Sequence, residues 1–506
     1  MNTPAVEHST TPTVSGLAMQ FVNAAAATGV WVLLNISVFV GFDIHPGGAA
    51  FSLLGLYIYC SFMLWMTVFS SAVRPLELVF WLFHTNFMLL PAFAQVANRQ
   101  FFWGSFGDYT GDAFILACVL VLVGLLATRI GGLFAAGQRV TRTEPTVMNR
   151  RPPAQLEVSG LSALFLIAAM VSLVGFVLVL GVEFFTSSRT EKVGQVESLV
   201  QLGMLLTLPR ALAFGTLLFL SAVCMNEFRQ KRIPGPGVLA LLLISIAVNG
   251  VVNFPLSLSR FWFFGFLISL VWVVFPLRSR LLRSLFIIGM TLLQFTLFPW
   301  YSEITRGTGY IGLDVDSIRE YVKFGDFDGY QTILNVIYYI DGVGLQMGYN
   351  LLSAFLFFVP RGVWSNKAEP LGVASAEYIG YPFTNLSAPI YGELYADFGF
   401  ASLILGMMLV GYLLKRFDGL YDYDLRRGRL GAGFLFTSVL AGYLIILLRG
   451  SLLGVIPGIA TLLVVLAGLV VLGRIRVFRS LSFRRPDNGP VRGPADLADH
   501  GKQLRD

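Results

Sequence analysis

Arg361 and Lys367 flank Trp364 in the stretch 360–367, directly after an apolar run, 351–359, that is too short to cross a bilayer. A guanidinium presents a fork of donors that matches phosphate oxygens, and a lysine adds a compact positive charge. Placed at headgroup depth, the pair could hold a lipid phosphate, or could simply anchor the chain to anionic lipid with Trp364 in the aromatic belt. Three more arginines stand in apolar surroundings. Arg210 follows Pro209 in the middle of a hydrophobic run, where an arginine costs about 2.5–3.5 kcal/mol on insertion scales and should face a cavity or a partner. Arg260 opens one apolar run, and Arg449 lies in the short turn between the last two. Glu393 and Asp397 are the natural counter-charges. A structural salt bridge accounts for any one of these arginines. Four arginines on one side exceed what two carboxylates neutralise, and an anionic ligand would restore the balance.

The elements that must position these groups follow from composition. Of 506 residues, 56% are hydrophobic and 13% charged, about half the charged share of a soluble globular chain. Lipid demands such a composition, because a spanning helix needs roughly 20 mostly apolar residues and hydrocarbon leaves backbone amides no water. The sequence therefore predicts an all-α polytopic membrane protein. About twelve runs qualify, near 20–41, 50–72, 76–97, 112–130, 158–182, 199–225, 238–254, 261–277, 284–300, 388–413, 431–448 and 452–473.

Charge in the connecting segments sets an expected orientation. Arg129, Arg139, Arg142, Arg150 and Arg151 share one side with Arg229, Lys231 and Arg232, with Arg278, Arg280 and Arg283, and with Lys415, Arg416, Arg426, Arg427 and Arg429. The run of arginines from Arg474 to Arg485 joins them. Positive charge marks the cytoplasmic side, so both termini are expected there. The net charge of +7 then reports topology, and a nucleic-acid partner is not expected. The polar segment 1–19 lacks the basic start of a cleaved signal, and 474–506 is basic and then rich in Gly and Pro, with the composition of a disordered tail. The three cysteines lie in apolar runs without metal-ligand spacing.

This orientation leaves one large external segment, 301–389, between helices 20–300 and 390–473. A connection that long is functional or disordered, and its tyrosines, Trp364 and short apolar run argue for a folded segment with a re-entrant or interfacial helix. Gly342, Gly344 and Gly348 would break the helical pattern before that run, and Pro360 would stop it. Three Asp-x-Asp pairs, Asp314/Asp316, Asp326/Asp328 and Asp422/Asp424, have the spacing of a divalent-cation site, but the first two are external, where nucleotide sugars are absent. His45 and His84 are isolated and read as locally satisfied. Gly454 and Gly458 form a candidate helix-packing face.

The stretch from Phe327, Asp328, Gly329 and Tyr330 through Pro360, Arg361, Trp364 and Lys367 resembles the bacterial oligosaccharide repeat-unit polymerases, the O-antigen polymerases of polyprenol-dependent polysaccharide assembly. Residues 384–389 and 392–399, the segment ending in Ser259, Arg260, Phe261 and Trp262, and the late Leu448, Arg449, Gly450, Ser451 are also similar to that family's pattern. Ser365 and Ala368 stand where the family usually carries prolines. The likeness covers mainly 250–455. It implies a C-type glycosyltransferase-like bundle with one long external loop, in a bacterial inner membrane. The implied reaction is transfer of a growing glycan from undecaprenyl diphosphate to a lipid-linked repeat unit at the periplasmic face. Arg361 and Arg449 with Glu393 as base would be catalytic, while Arg260, Lys367, Arg210, Trp364, Tyr391 and Asp397 would bind substrate. No cofactor or metal is called for. Implied partners are undecaprenyl-diphosphate-linked glycans, membrane lipid, a chain-length regulator and a flippase. An O-antigen ligase-like transferase and a lipid-linked oligosaccharide flippase are the alternatives.

Overall fold

The computed structural model describes residues 14–39, 45, 47–140, 156–186, 200–301, 320–323, 325–428 and 430–474. Every regular element among them is helical. Ten helices are long and apolar enough to cross a membrane, so the chain is a multi-pass membrane protein. In chain order they include α1 (Val14–Phe39), α2 (Gly48–Phe69), α3 (Pro75–Ala97), α4 (Gly111–Val140), α5 (Gly160–Leu180) and α6 (Val200–Arg229). Two shorter apolar helices follow, α7 (Pro236–Val252) and α8 (Arg260–Val274), and then the long α9 (Arg280–Tyr301). The described part of the long segment after α9 folds into α10 (Gly329–Val343), α11 (Tyr349–Phe355) and α12 (Leu371–Ile379), where one short helix was expected. The chain closes with α13 (Ile390–Phe398), α14 (Phe400–Arg426), α15 (Ala432–Arg449) and α16 (Leu452–Arg474).

Burial sorts these helices into an inner and an outer ring. In α3, 94% of the spanning stretch is buried inside the protein, against 22% in α5. Because α5 is apolar on every face, the part that no protein covers must meet lipid. The inner α3 carries polar groups that bond within the protein, as a dry interior requires, with Gln95 Oε1 left without a partner. Its middle, Phe83–Leu89, widens to a π-helix. That frees the Asn86 carbonyl to accept Gln294 Nε2 at 2.7 Å, while Asn86 Nδ2 donates to Thr291 Oγ1 at 2.7 Å. Gln294 lies in a second π-turn, Leu293–Leu297 of α9, so two widened turns bond across one interface.

Helices α4 and α14 touch backbone to backbone. A Cβ added at Gly411 would sit 1.8 Å from the Thr128 carbonyl oxygen, and one at Gly131 equally close to that of Met408. Gly411→Val should therefore force the helices apart, costing about 3 kcal/mol or more. The check is a thermal melt in detergent, in which Gly454→Ala, where nothing lies within 4 Å, should melt like the native protein. The expected packing face around Gly454 is only half present: Gly458 is covered by the Trp262 ring and Gly454 is open.

The tenth span departs from expectation. The apolar run 388–413 is broken at Gly399, whose φ of +64° is strained for any other residue. Ser402 Oγ accepts the Phe398 N–H at 2.9 Å and donates to the Leu394 carbonyl, which fixes the corner. Glu393 and Asp397 therefore ride on the separate short helix α13, and α14 runs on through Lys415 and Arg416 to Arg426, residues expected in a loop. The flanks 1–13 and 475–506, the pair Asp314/Asp316 and the basic residues 142–151 fall outside the described residues.

Candidate functional site

The arginines are held by acids other than those expected. Arg260, at the first turn of α8 and only 5% exposed, closes a two-pronged ion pair on Asp326. Tyr321 Oη also donates to Asp326 and accepts from Arg260 at 3.1 Å. Arg449, at the last turn of α15, reaches Asp328 with Nη2 to Oδ1 at 2.8 Å and donates to the carbonyls of Gly325 and Asp326 at 3.2 Å. Its guanidinium lies 4.4 Å over the Phe261 ring. Asp328 is buried and saturated: Ser387 Oγ donates to it at 3.1 Å and Trp103 Nε1 at 3.0 Å. Burial still leaves its carboxyl above the usual range, with Arg449 pulling the other way. The stretch 325–328 thus ties the start of α8 to the end of α15.

Glu393 and Asp397, the counter-charges expected, have other work. Asp397 accepts the backbone N–H groups of Asn350 at 3.1 Å and Leu351 at 2.9 Å. It satisfies the open first turn of α11 as a capping carboxylate does, which removes it as a reserve base. Glu393 is 2% exposed and bonds to Ser451 and to the backbone of Leu452, in the turn that follows Arg449. Its Oε1 has no partner. Burial, the larger cause, and Asp397 nearby push its pKa up to about 8.

Arg361 and Lys367 close a compact hairpin. Lys367 Nζ donates to the carbonyls of Leu356, Phe357 and Val359 at 2.8–3.1 Å, covering the open end of α11. Arg361 donates to the carbonyls of Lys367 and Ala368 at 2.8 and 2.9 Å. Burial and the neighbouring Arg361 lower the Lys367 pKa. Trp364 packs edge-on against Tyr349 with ring centres 5.8 Å apart. The hairpin ends against the same turn, for Gly372 N donates to Ser451 Oγ at 3.0 Å.

Two further expected residues have partners within the fold. Arg210 stands inside α6, ten residues after Val200 and directly behind Pro209. There its Nη2 approaches the Ser257 carbonyl and hydroxyl at 3.4 Å, and Asn253 bonds its backbone carbonyl. Tyr391 is fully buried, with its hydroxyl 2.6 Å from His84 Nε2, and cannot stack on a sugar. His84 Nδ1 faces the Phe80 carbonyl at 2.7 Å, an acceptor only. The ring therefore carries its proton on Nδ1 and accepts from Tyr391.

No family model, curated protein or solved structure matches this chain. What defines the site is its own geometry. Asp326, Asp328, Tyr321 and Trp103 belong to it and were missed as such. The Asp-x-Asp spacing was visible but suggested a cation, whereas both acids serve arginines, and no cluster able to hold a metal occurs among the described residues. Trp103 stacks on Phe383 at 5.5 Å, and with the exposed Phe102 it offers an aromatic face at the edge of Asp328.

Proposed function

We propose that the protein is a membrane glycosyltransferase that joins polyprenyl-diphosphate-linked oligosaccharides at the membrane face bearing 325–328, with Arg449 and Glu393 at its centre. One observation carries the reading. Glu393 is a buried carboxyl with one oxygen unpaired and a pKa raised to about 8, and it bonds to the turn that directly follows Arg449. A group poised so is suited to proton transfer, which typically contributes 10²–10⁴-fold.

In the reaction, an acceptor hydroxyl attacks the anomeric carbon, and its proton passes to the Glu393 carboxylate. The carbon–oxygen bond to diphosphate breaks, and the electron pair leaves with the phosphate. Arg449 exchanges Asp328 for that departing charge and stabilises it most where it is greatest, in the transition state. Arg260, held by Asp326, fixes the segment. Arg361 and Lys367 shape the hairpin through backbone carbonyls and act on substrate only indirectly. The C-type bundle, the bacterial inner membrane, the cytoplasmic termini, and the chain-length regulator and flippase as partners belong to this proposal.

Incubating the purified protein with a synthetic polyprenyl-diphosphate-linked repeat should yield chains of several repeats. Recovery of the single repeat alone would overturn the reading. In cells, loss of the gene should leave capped single repeats; long unligated chains would instead indicate a ligase. A second reading has a specific observation behind it: both Arg260 and Arg449 are already neutralised by aspartates. On that reading the cluster is a static tie between helices.

A further inference from the structure

At the opposite end of the bundle, α3, α4 and α14 enclose a cavity of about 190 Å³. This is the end where basic side chains gather: Arg283 donates to the carbonyls of Ser70 and Ala72, and Arg278 to that of Leu425. Arg74, Arg129 and Lys415 line the cavity together with a single carboxylate, Glu77. Glu77 bridges Arg74 and Lys415, each at 2.9 Å, and so faces two cations with one charge. Asp418, behind it, is taken up by the backbone N–H groups of Leu76 and Glu77 at 2.8 and 3.0 Å. Among the described residues, three cations outnumber two carboxylates even when both acids are counted. Arg129 is exposed on the lipid-facing side of α4 and stands beside Leu133, which is 66% exposed. The remaining wall is mostly apolar, formed by Phe80, Trp81, Gly132, Gly411 and Leu414 among others.

We infer that this cavity binds the phosphate of an anionic phospholipid, with the phosphate at Arg129, Lys415 and Arg74 and an acyl chain along Leu133. The chemistry is that of a basic pocket between helices on the positively charged side of a membrane protein. A phosphate there would supply the negative charge that the cavity lacks, and the gap at Gly132 gives it room. The inference is independent of the proposed reaction, which lies at the other end of the bundle.

The test is lipid retention by the purified full-length protein in neutral detergent, read by native mass spectrometry. Phosphatidylglycerol should be retained over phosphatidylcholine, and Arg129→Gln should lower retention about fivefold, near the effect of one basic residue at a membrane surface. Gly132→Leu, whose first added carbon meets only the Gly411 carbonyl at 3.7 Å, should block the cavity without removing charge. Arg416→Gln, exposed on α14 next to Lys415 and outside the cavity, should retain lipid as the native protein does. Millimolar inorganic phosphate that displaces the lipid would show that the free ion fills the same anion site, and failure to displace it would assign the site to lipid. Equal retention of the two lipids, or native retention by both Arg129→Gln and Gly132→Leu, would overturn the inference.

Discussion

Arg449→Ala is expected to lower stability by about 3–5 kcal/mol, because it leaves Asp328 charged, buried and without its cation. Ser387 and Trp103 would still donate to it, but two neutral donors do not replace a guanidinium. The remedy is specific. Adding Asp328→Asn removes the stranded charge, so the double variant Arg449→Gln with Asp328→Asn should recover most of the loss in a detergent melt. Arg260 and Asp326 should behave in the same way, with an effect at least as large because both partners are buried. A double variant no more stable than Arg449→Ala would show that the pair is not what holds 325–328 in place.

Glu393→Gln is expected to cut glycan transfer by about 100-fold or more while leaving the fold intact, since glutamine keeps the shape and loses the titration. The sign of the pH dependence follows from the raised pKa. A base must be ionised, so transfer by the native protein should rise with pH and level off above about 8. Stability runs the other way. Between the ordinary value of 4.5 and about 8 the folded protein holds a proton that the unfolded chain has released. The stabilisation is therefore full below the lower value and is lost as pH rises through the upper one. Glu393→Gln should flatten that decline. An activity that instead falls through the same range would make Glu393 an acid that protonates the leaving group.

The sequence made the helices legible because lipid leaves a strong mark: eleven of the twelve apolar runs expected to span each correspond to one helix, two of them, α7 and α8, short for a span, and the run 388–413 is split in two. The break at Gly399 was hidden among 52 glycines, since hydropathy does not reveal which glycine takes a positive φ. The site was half legible. Arginines in apolar surroundings stood out, but their partners did not. Arg449 and Asp328 are 121 residues apart in sequence, Arg260 and Asp326 are 66, and charge counting cannot choose among acids. Nor could it foresee that Arg361 and Lys367 would spend their donors on backbone carbonyls, or that Asp397 would cap a helix. Tyr391 was assigned to substrate only through the family resemblance, and in the fold its hydroxyl meets His84 instead.

The account rests on the cluster at 325–328 and Arg449 being a reaction centre as well as a tie. The direct measurement is the glycan ladder from cells in which Arg449→Gln with Asp328→Asn, present in the membrane at the native level, is the sole copy. The account predicts single lipid-linked repeats and no ladder, because the fold is restored and the charge for the departing diphosphate is gone. A ladder of native length from that variant would contradict it and leave the cluster as a structural tie.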